Sequence, residues 1–344
     1  MKFKRMGIMT EFIRSRAPLR IGIAGGGTDV DPYASQKGGF VFNTTINKYS
    51  YCTLTPRKDT IMNVESKYYG RYKRSLKNRP FKLDGNMDLI KAVANHFEIE
   101  KGFDMLIHSD VPSGSGLGGS STMIVAMIAA IANWTGRELS KHEMAELSYH
   151  LEREDIGLAG GHQDQYAAVF GGFNYLDMKK GNIEVKPANI KPDVVNELQC
   201  RSVLCYSKIT RESADMIQAQ KESTQKGHNE KALEASKVLA KELGKSLEDG
   251  NINLAGEKLD DAWGYKKQFS SKVSNRHLDK LYDVAKANGA IGGKVSGAGG
   301  GGFMYFICEY DKKPAVSEAL KKAGAELTEF MFEPRGVTSW RYEN

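Results

Sequence analysis

The 344-residue sequence predicts an α+β fold, and three observations predict it. Period-two segments and helix-period segments are mixed along the chain, without the regular strand–helix–strand order of a doubly wound sheet. Several helical segments follow one another between residues 211 and 288, with no strand between them. The composition, 40% hydrophobic and 26% charged, is that of an ordinary globular protein, and the length suits two domains with a sizeable core.

Taken in order, residues 1–14 read as a loosely held lead-in. Residues 15–24 read as a strand that ends in Gly25-Gly-Gly-Thr-Asp29. Residues 40–55 alternate as a long strand, and 61–64 read as its hairpin partner. Helical spacing covers 87–97, and Gly102 stops it. Residues 102–108 alternate as a strand. The glycine-rich run 112–122 follows, then an apolar helix over 123–134. Ser140, with Glu143 three residues on, forms a capping box for a helix reaching about residue 154. The glycines of 157–161 break the pattern. A short helix over 163–170 and a strand over 172–177 come next. The polar segment 179–192 carries two prolines and is the candidate boundary, dividing the chain into 12–185 and 186–344. Beyond it a strand over 201–207 precedes helices over about 211–225, 229–249, 251–271 and 275–288. Strands over 303–308 and 327–332 flank a final helix over 312–323.

The chemistry concentrates in Pro112-Ser-Gly-Ser-Gly-Leu-Gly-Gly-Ser-Ser-Thr122. It lies between a strand and the start of a helix. Glycines let the backbone turn its N–H groups inward, and the unpaired N–H groups of a helix start favour an anion. The hydroxyls of Ser115, Ser120, Ser121 and Thr122 suit a phosphate or a Mg²⁺ ion. The alternative is a flexible turn, and the loop lacks the Gly-Lys-Ser/Thr of a Walker sequence. Two further glycine-rich segments, 25–29 and 297–302, also sit at element ends. Three such loops more often build one cleft around a ligand than three separate turns.

All three match, in order, the motifs of the GHMP kinases, the family of galactokinase, homoserine kinase, mevalonate kinase and phosphomevalonate kinase. Ala17-Pro-Leu-Arg-Ile-Gly-Ile-Ala-Gly-Gly-Gly-Thr-Asp29 resembles the first motif, residues 112–122 the second, and Lys294-Val-Ser-Gly-Ala-Gly-Gly-Gly-Gly302 the third. The resemblance implies an N-terminal domain like ribosomal protein S5 domain 2 and a ferredoxin-like C-terminal domain, with ATP and substrate between them. It implies that Pro112, Ser113, Gly114, Ser115, Gly116, Leu117, Gly118, Gly119, Ser120 and Ser121 bind ATP. Ser120 and Glu152 take the positions of the family's Mg²⁺ ligands, with Ser121 in reserve for Ser120. Asp164, in Gly160-Gly-His-Gln-Asp-Gln165, takes the place of the catalytic aspartate, and Arg20 that of its partner. Their alternative readings are a helix cap and a surface ion pair. His162 is read as structural. Gly26, Gly27, Thr28, Asp29, Gly297, Ala298 and Gly299 fall where substrate is held. Gly26 and Gly27 replace the large Glu-His pair of galactokinases, which implies room for more than a hexose. Within the family the pattern is most similar to bacterial heptose 7-phosphate kinases, which act on the anomeric hydroxyl. A kinase for a free sugar such as fucose, or a non-catalytic binder on the same fold, are the alternatives.

The net charge is +7, and residues 67–79 hold six basic residues and no acid, so the rest of the chain carries 7 − 6 = +1. The stretch reads first as a solvated loop, second as a trap for a substrate phosphate, and last as a nucleic-acid contact. No zinc-finger or RNA-recognition signature accompanies it. Four scattered cysteines, no apolar run of membrane length and no apolar leader point to a reducing cytoplasm. The expected partner is a small sugar phosphate, with neither nucleic acid nor membrane, on a monomer or homodimer.

Overall fold

The computed structural model describes residues 11–67, 70–179, 182–210 and 213–343. In chain order the elements begin with β1 (Glu11–Ala24), α1 (Tyr33–Lys37), β2 (Gly39–Pro56), β3 (Ile61–Ser66) and β4 (Gly70–Ser75). Next come α2 (Asp88–His96), β5 (Phe103–Ser109), α3 (Gly119–Thr135), α4 (Lys141–Tyr149), α5 (Gln163–Phe170), β6 (Phe173–Lys179) and β7 (Asn182–Pro187). The remainder comprises α6 (Pro192–Arg201), β8 (Ser202–Tyr206), α7 (Ser213–Gln225), α8 (Glu230–Glu248), α9 (Ile252–Lys266) and α10 (Arg276–Ala287). The chain closes with β9 (Ala290–Val295), β10 (Phe303–Cys308), α11 (Lys313–Lys322), β11 (Glu326–Leu327) and β12 (Thr338–Glu343).

The first sheet runs β12-β1-β2-β5-β3-β4, with β6 and then β7 added at the other half of β2. The 18-residue β2 is long enough to serve two partners on one side: its first half pairs β6 and its second half pairs β5. Behind this sheet lies α3. From Met123 to Ala132 every residue of α3 is buried, as an apolar sequence without a polar face requires. Each large side chain so buried contributes about 1.5–3 kcal/mol. The Ser15 hydroxyl of β1 donates to the Ala126 carbonyl at 2.6 Å and fixes α3 against the sheet.

The second sheet runs β11-β8-β10-β9, antiparallel throughout. With its helices it makes β8–helices–β9–β10–α11–β11, the βαββαβ order of a ferredoxin-like domain. The fold is thus α+β with two sheets, as expected.

Several expectations need correction. Strand 61–64 does not pair with 40–55: β5 lies between them, parallel to β3. Both choices satisfy the same alternation, and only the crossover through α2 decides between them. Residues 67–79 are expected as a loop; 68 and 69 lie outside the described residues, and 70–78 are not a loop. They contain β4, which pairs with β3 at the edge of the sheet. The helix from Ser140 keeps its capping box but widens into a π-helical turn over His150–Asp155. The helix expected to reach 271 ends at Lys266. Of the strand expected over 327–332, only Leu327 joins a ladder, together with Glu326, and Phe332 makes one bridge to Ile46. The lead-in is partly outside the described residues, and β1 already begins at Glu11. We propose 12–185 and 186–344 as the domain limits with two adjustments: β7 of the first sheet runs on to Pro187, and β12 returns to the first sheet and pairs β1. Its sequence gave no sign of that long-range pairing.

Candidate active site

The three glycine-rich loops meet in one cleft of about 490 Å³. Loop 112–118 and loop 296–302 are packed backbone to backbone. A Cβ on Gly116 would fall 2.6 Å from the Ser296 carbonyl oxygen, and one on Gly297 2.6 Å from that of Gly116, so neither position admits a side chain without movement. Phe303 donates its N–H to the Ser115 carbonyl at 3.0 Å and extends β10 into this junction.

Arg20 is the hub. It is 3% exposed on β1. Its Nε donates to Asp164 Oδ1 at 2.8 Å, and Nη2 forms an ion pair with the same oxygen at 2.7 Å. Nη1 donates to the Gly116 carbonyl at 2.7 Å and to Ser296 Oγ at 3.2 Å. One side chain therefore ties β1 to both loops and to α5. Both of these contacts fall on Oδ1 rather than on Oδ2. A Cβ on Gly118 would lie 3.2 Å from Oδ2, so Asp164 is placed directly against the phosphate loop.

The cleft wall includes Arg20, Asp164, Ser113, Gly114, Ser115, Gly116, Gly118, Gly119, Ser120, Gly26, Gly27, Asp29, Gly297 and Ala298. The other expected residues stand back from it. Pro112 and Gly299 are outside the lining, and Leu117 is fully buried in the hydrophobic core with Leu19 and Ile21. Thr28 is also buried: its hydroxyl donates to the Gly25 carbonyl at 2.7 Å and accepts from Phe40 N at 3.0 Å. It holds the turn between β1 and β2. Asp29 reaches the cleft wall with its oxygens already engaged, by Gly27 N at 2.9 Å and Gln163 N at 3.1 Å. It thereby accepts the N–H of the first residue of α5 and ties the start of that helix to the loop after β1.

Glu152 and Ser121 are each 0% exposed and belong to a cluster behind the loop. Gln165 Nε2 donates to Glu152 Oε2 at 2.7 Å and to Ser121 Oγ at 3.3 Å. Ser120, one residue earlier, lines the cleft. The π-helical turn, common at functional sites, carries Glu152 inward. His162 is stacked on Tyr149 with ring centroids 3.7 Å apart, and burial lowers its pKa.

Reading the sequence alone missed Arg153, Gln163, Gln220, Lys266 and Phe269, all of which line the cleft. Arg153 and Gln163 directly neighbour Glu152 and Asp164 in the sequence. Lys266 had no local signal: it lies at the end of α9 and donates to the Val295 and Gly297 carbonyls. Lys294 donates to the carbonyls of Gly22 and Ile23, at 2.8 and 3.0 Å. Burial first, and the Arg20 charge second, lower the Lys294 ammonium to about 7. Lys266 is also lowered well below its ordinary range, by burial and then by the charges of Lys294 and Arg20. A second wall of the cleft is apolar, with Met87, Leu89, Ile90, Ile107, Met123 and Ile156.

A glycine loop at a helix start, an Arg–Asp pair against it and a ferredoxin-like second sheet define a class. The sequence matches the GHMP kinases N terminal domain over residues 87–172 and the GHMP kinases C terminal domain over 240–326. The chain belongs to the GHMP kinase family. It is 39% identical over 335 residues to a D-glycero-alpha-D-manno-heptose 7-phosphate kinase of Campylobacter jejuni subsp. jejuni, covering 96% of this chain and 99% of that one. A crystal structure of a D-glycero-D-manno-heptose 1-phosphate kinase from Bacteroides thetaiotaomicron superposes with a TM-score of 0.79 at 33% identity, over 95% of this chain and 98% of that one. Lactococcus lactis galactokinase complexed with galactose shares the fold, with a TM-score of 0.74 at 20% identity over 98% and 96% of the chains.

Proposed function

We propose that this GHMP kinase transfers the γ-phosphoryl group of ATP to a heptose phosphate, at the anomeric hydroxyl of D-glycero-D-manno-heptose 7-phosphate. The observation that carries the reading is the Arg20–Asp164 pair set against the glycine loop at the start of α3. The full-length similarity to a heptose 7-phosphate kinase supports the substrate class.

ATP fits the cleft on two grounds. Residues 113–116 and 118–120 line the cleft at the N-terminus of α3, where negative charge is favoured. Ser115 Oγ is buried there without a protein partner. The apolar wall suits a flat base. Mg²⁺ fits less directly but fits: Ser120 lines the cleft, and Glu152 has one buried oxygen, Oε1, with no partner. Mg²⁺ keeps waters and takes one or two carboxylates plus substrate phosphates, so this pair of oxygen donors suits it. When bound, it would neutralise phosphate charge, with Ser120 and Glu152 as its protein ligands and Ser121 in reserve.

The chain's own residues do the rest. Asp164 orients the acceptor hydroxyl and takes its proton, as the hydroxyl oxygen bonds to phosphorus and ADP leaves. Arg20 fixes Asp164 and holds the two loops in register. Gly26, Gly27, Gln163 and Gln220 line the cleft, and on this reading they belong to the sugar's side. The two similar heptose kinases are named for different phosphate positions, 7 and 1. ADP release should therefore be assayed with heptose 7-phosphate, heptose 1-phosphate, hexose phosphates and fucose. Turnover restricted to the 7-phosphate, with a new anomeric phosphate seen by ³¹P NMR, is the expected result. Preference for fucose or for heptose 1-phosphate would overturn the substrate, and no turnover with any sugar would overturn the kinase reading.

A further inference from the structure

Glu152 is completely buried, and a carboxylate at that depth needs a compensating cation. The nearest one is its neighbour in sequence. Arg153 Nη2 lies 3.4 Å from Glu152 Oε2 and donates to Ser121 Oγ at 3.0 Å. The guanidinium therefore bridges the carboxylate and a hydroxyl of the phosphate loop. Its remaining bonds are long: Nη1 to the Leu158 carbonyl at 3.4 Å and to that of Ala159 at 3.3 Å. Its Nε is buried without a partner. A Cβ on Gly160 would fall 2.2 Å from Cζ, so the group lies against a glycine that makes space for it. Arg153 lines the cleft, whereas Glu152 and Ser121 do not. Of the three, it alone reaches the cleft proposed to hold the nucleotide.

Resting on the reading of Glu152 as a metal ligand, we propose that Arg153 is a stand-in for the divalent cation. While the cleft is empty, its charge compensates Glu152, and an arriving metal must displace it. Weak, incomplete hydrogen bonding makes that exchange easy. The chain alone then binds free divalent ions poorly, and the metal enters with the nucleotide, whose phosphates supply further ligands. Arg153 is a positioning residue that sets when the metal carboxylate becomes available.

The test measures Mn²⁺ binding to the full chain without nucleotide, by the EPR signal of free Mn²⁺. Arg153→Met should bind Mn²⁺ about tenfold more tightly than wild type, a change equivalent to relief of one modest competing interaction. Without metal its melting temperature should fall by several degrees, because Glu152 is left uncompensated. Added Mn²⁺, or the second change Glu152→Gln, should restore it. If Arg153→Met does not fold, Arg153→Gln serves in its place with the same expected direction. Unchanged or weaker Mn²⁺ binding in the Arg153 variant would overturn the proposal. If Glu152→Gln weakens Mn²⁺ binding while the Arg153 variant matches wild type, only the role of Arg153 fails. If Glu152→Gln changes nothing in either background, the metal reading of Glu152 fails as well.

Discussion

Two cationic regions differ in almost every respect. Residues 67–79 hold six basic residues, the densest positive run in the chain. The cleft holds Arg20, Arg153 and Lys266, with Lys294 bonded just behind, drawn from distant parts of the sequence. On β4, Arg71 pairs with Glu65 at 3.2 Å with its side chain 79% exposed, and Arg74 lies 4.9 Å from the Tyr72 ring centre. None of the six lines the cleft. Exposed pairs of this kind are worth about 0–1 kcal/mol, because water and salt screen them. Arg20, Lys266 and Lys294 are buried and Arg153 is partly buried, and each is bonded to backbone or to a carboxylate. Density of charge along the sequence therefore says little about which charges matter; burial decides it. The expectation that 67–79 traps a substrate phosphate finds no support in this placement.

The largest expected effect tests the cleft side. Asp164→Asn keeps the shape and removes the charge. Its kcat should fall by about 10²–10⁴, with little change in ATP affinity. Arg20→Ala should also lower kcat, and the double variant should lose less than the sum of the two, since the residues act as one pair. Steady-state assays and a melting curve for each variant suffice. A near-normal kcat for Asp164→Asn would leave Asp164 as a residue of the α5 first turn and move the search for the base to Asp29.

A second pair of variants separates the loop's scaffold from its ligand face. Gly116 has φ +83° and abuts Ser296, whereas a Cβ on Gly119 meets no protein atom within 4 Å. Gly116→Val should lower the melting temperature and lose activity together. Gly119→Val should melt near wild type and bind ATP at least tenfold more weakly, read by calorimetry. ATP binding unchanged in Gly119→Val would mean that the phosphates lie elsewhere.

A third prediction uses pH. Lys294 is lowered to about 7 in the fold against 10.5 when unfolded. Between these values the unfolded chain binds more protons, so this group makes stability rise with pH across the window. Below about 7 the burial penalty is fully present. One proton corresponds to a slope of at most about 1.4 kcal/mol per pH unit. Lys266 acts in the same direction. Denaturant midpoints between pH 7 and 9 should rise less steeply in Lys294→Met than in wild type. Equal slopes would show that Lys294 keeps an ordinary pKa.

Much of this arrangement was legible in the sequence. The three glycine loops, the helix of 123–134, the capping box at Ser140 and the α+β class all depend on local pattern, which a sequence displays. Arg20 and Asp164 were found by motif, and their contact is a fact of tertiary structure. What escaped was set by long-range choices: β5 inserting between β2 and β3, β12 returning to β1, and Lys266 reaching the third loop from the end of α9. Thr28 and Leu117 carry motif positions, yet their side chains point into the protein. A motif specifies backbone as well as ligand contacts, and identity alone does not distinguish the two.

The smallest expected effect completes the contrast. Replacing Arg71 and Arg74 together by Gln changes the net charge from +7 to +5, since 7 − 2 = 5, and touches nothing in the cleft. Substitutions at such exposed positions usually stay within about 0.5 kcal/mol in stability. Long-range attraction from the edge strand should be screened at about 0.15 M salt, where the Debye length is about 8 Å. The KM for the sugar phosphate and for ATP should then both stay within about twofold of wild type. At low salt a modest, equal rise in both would indicate general steering by net charge. A rise in the sugar-phosphate KM alone, persisting at high salt, would mean that β4 contacts the substrate directly. That single result would reverse the contrast drawn between the two regions, because an exposed edge would then be supplying specificity that the buried cations do not.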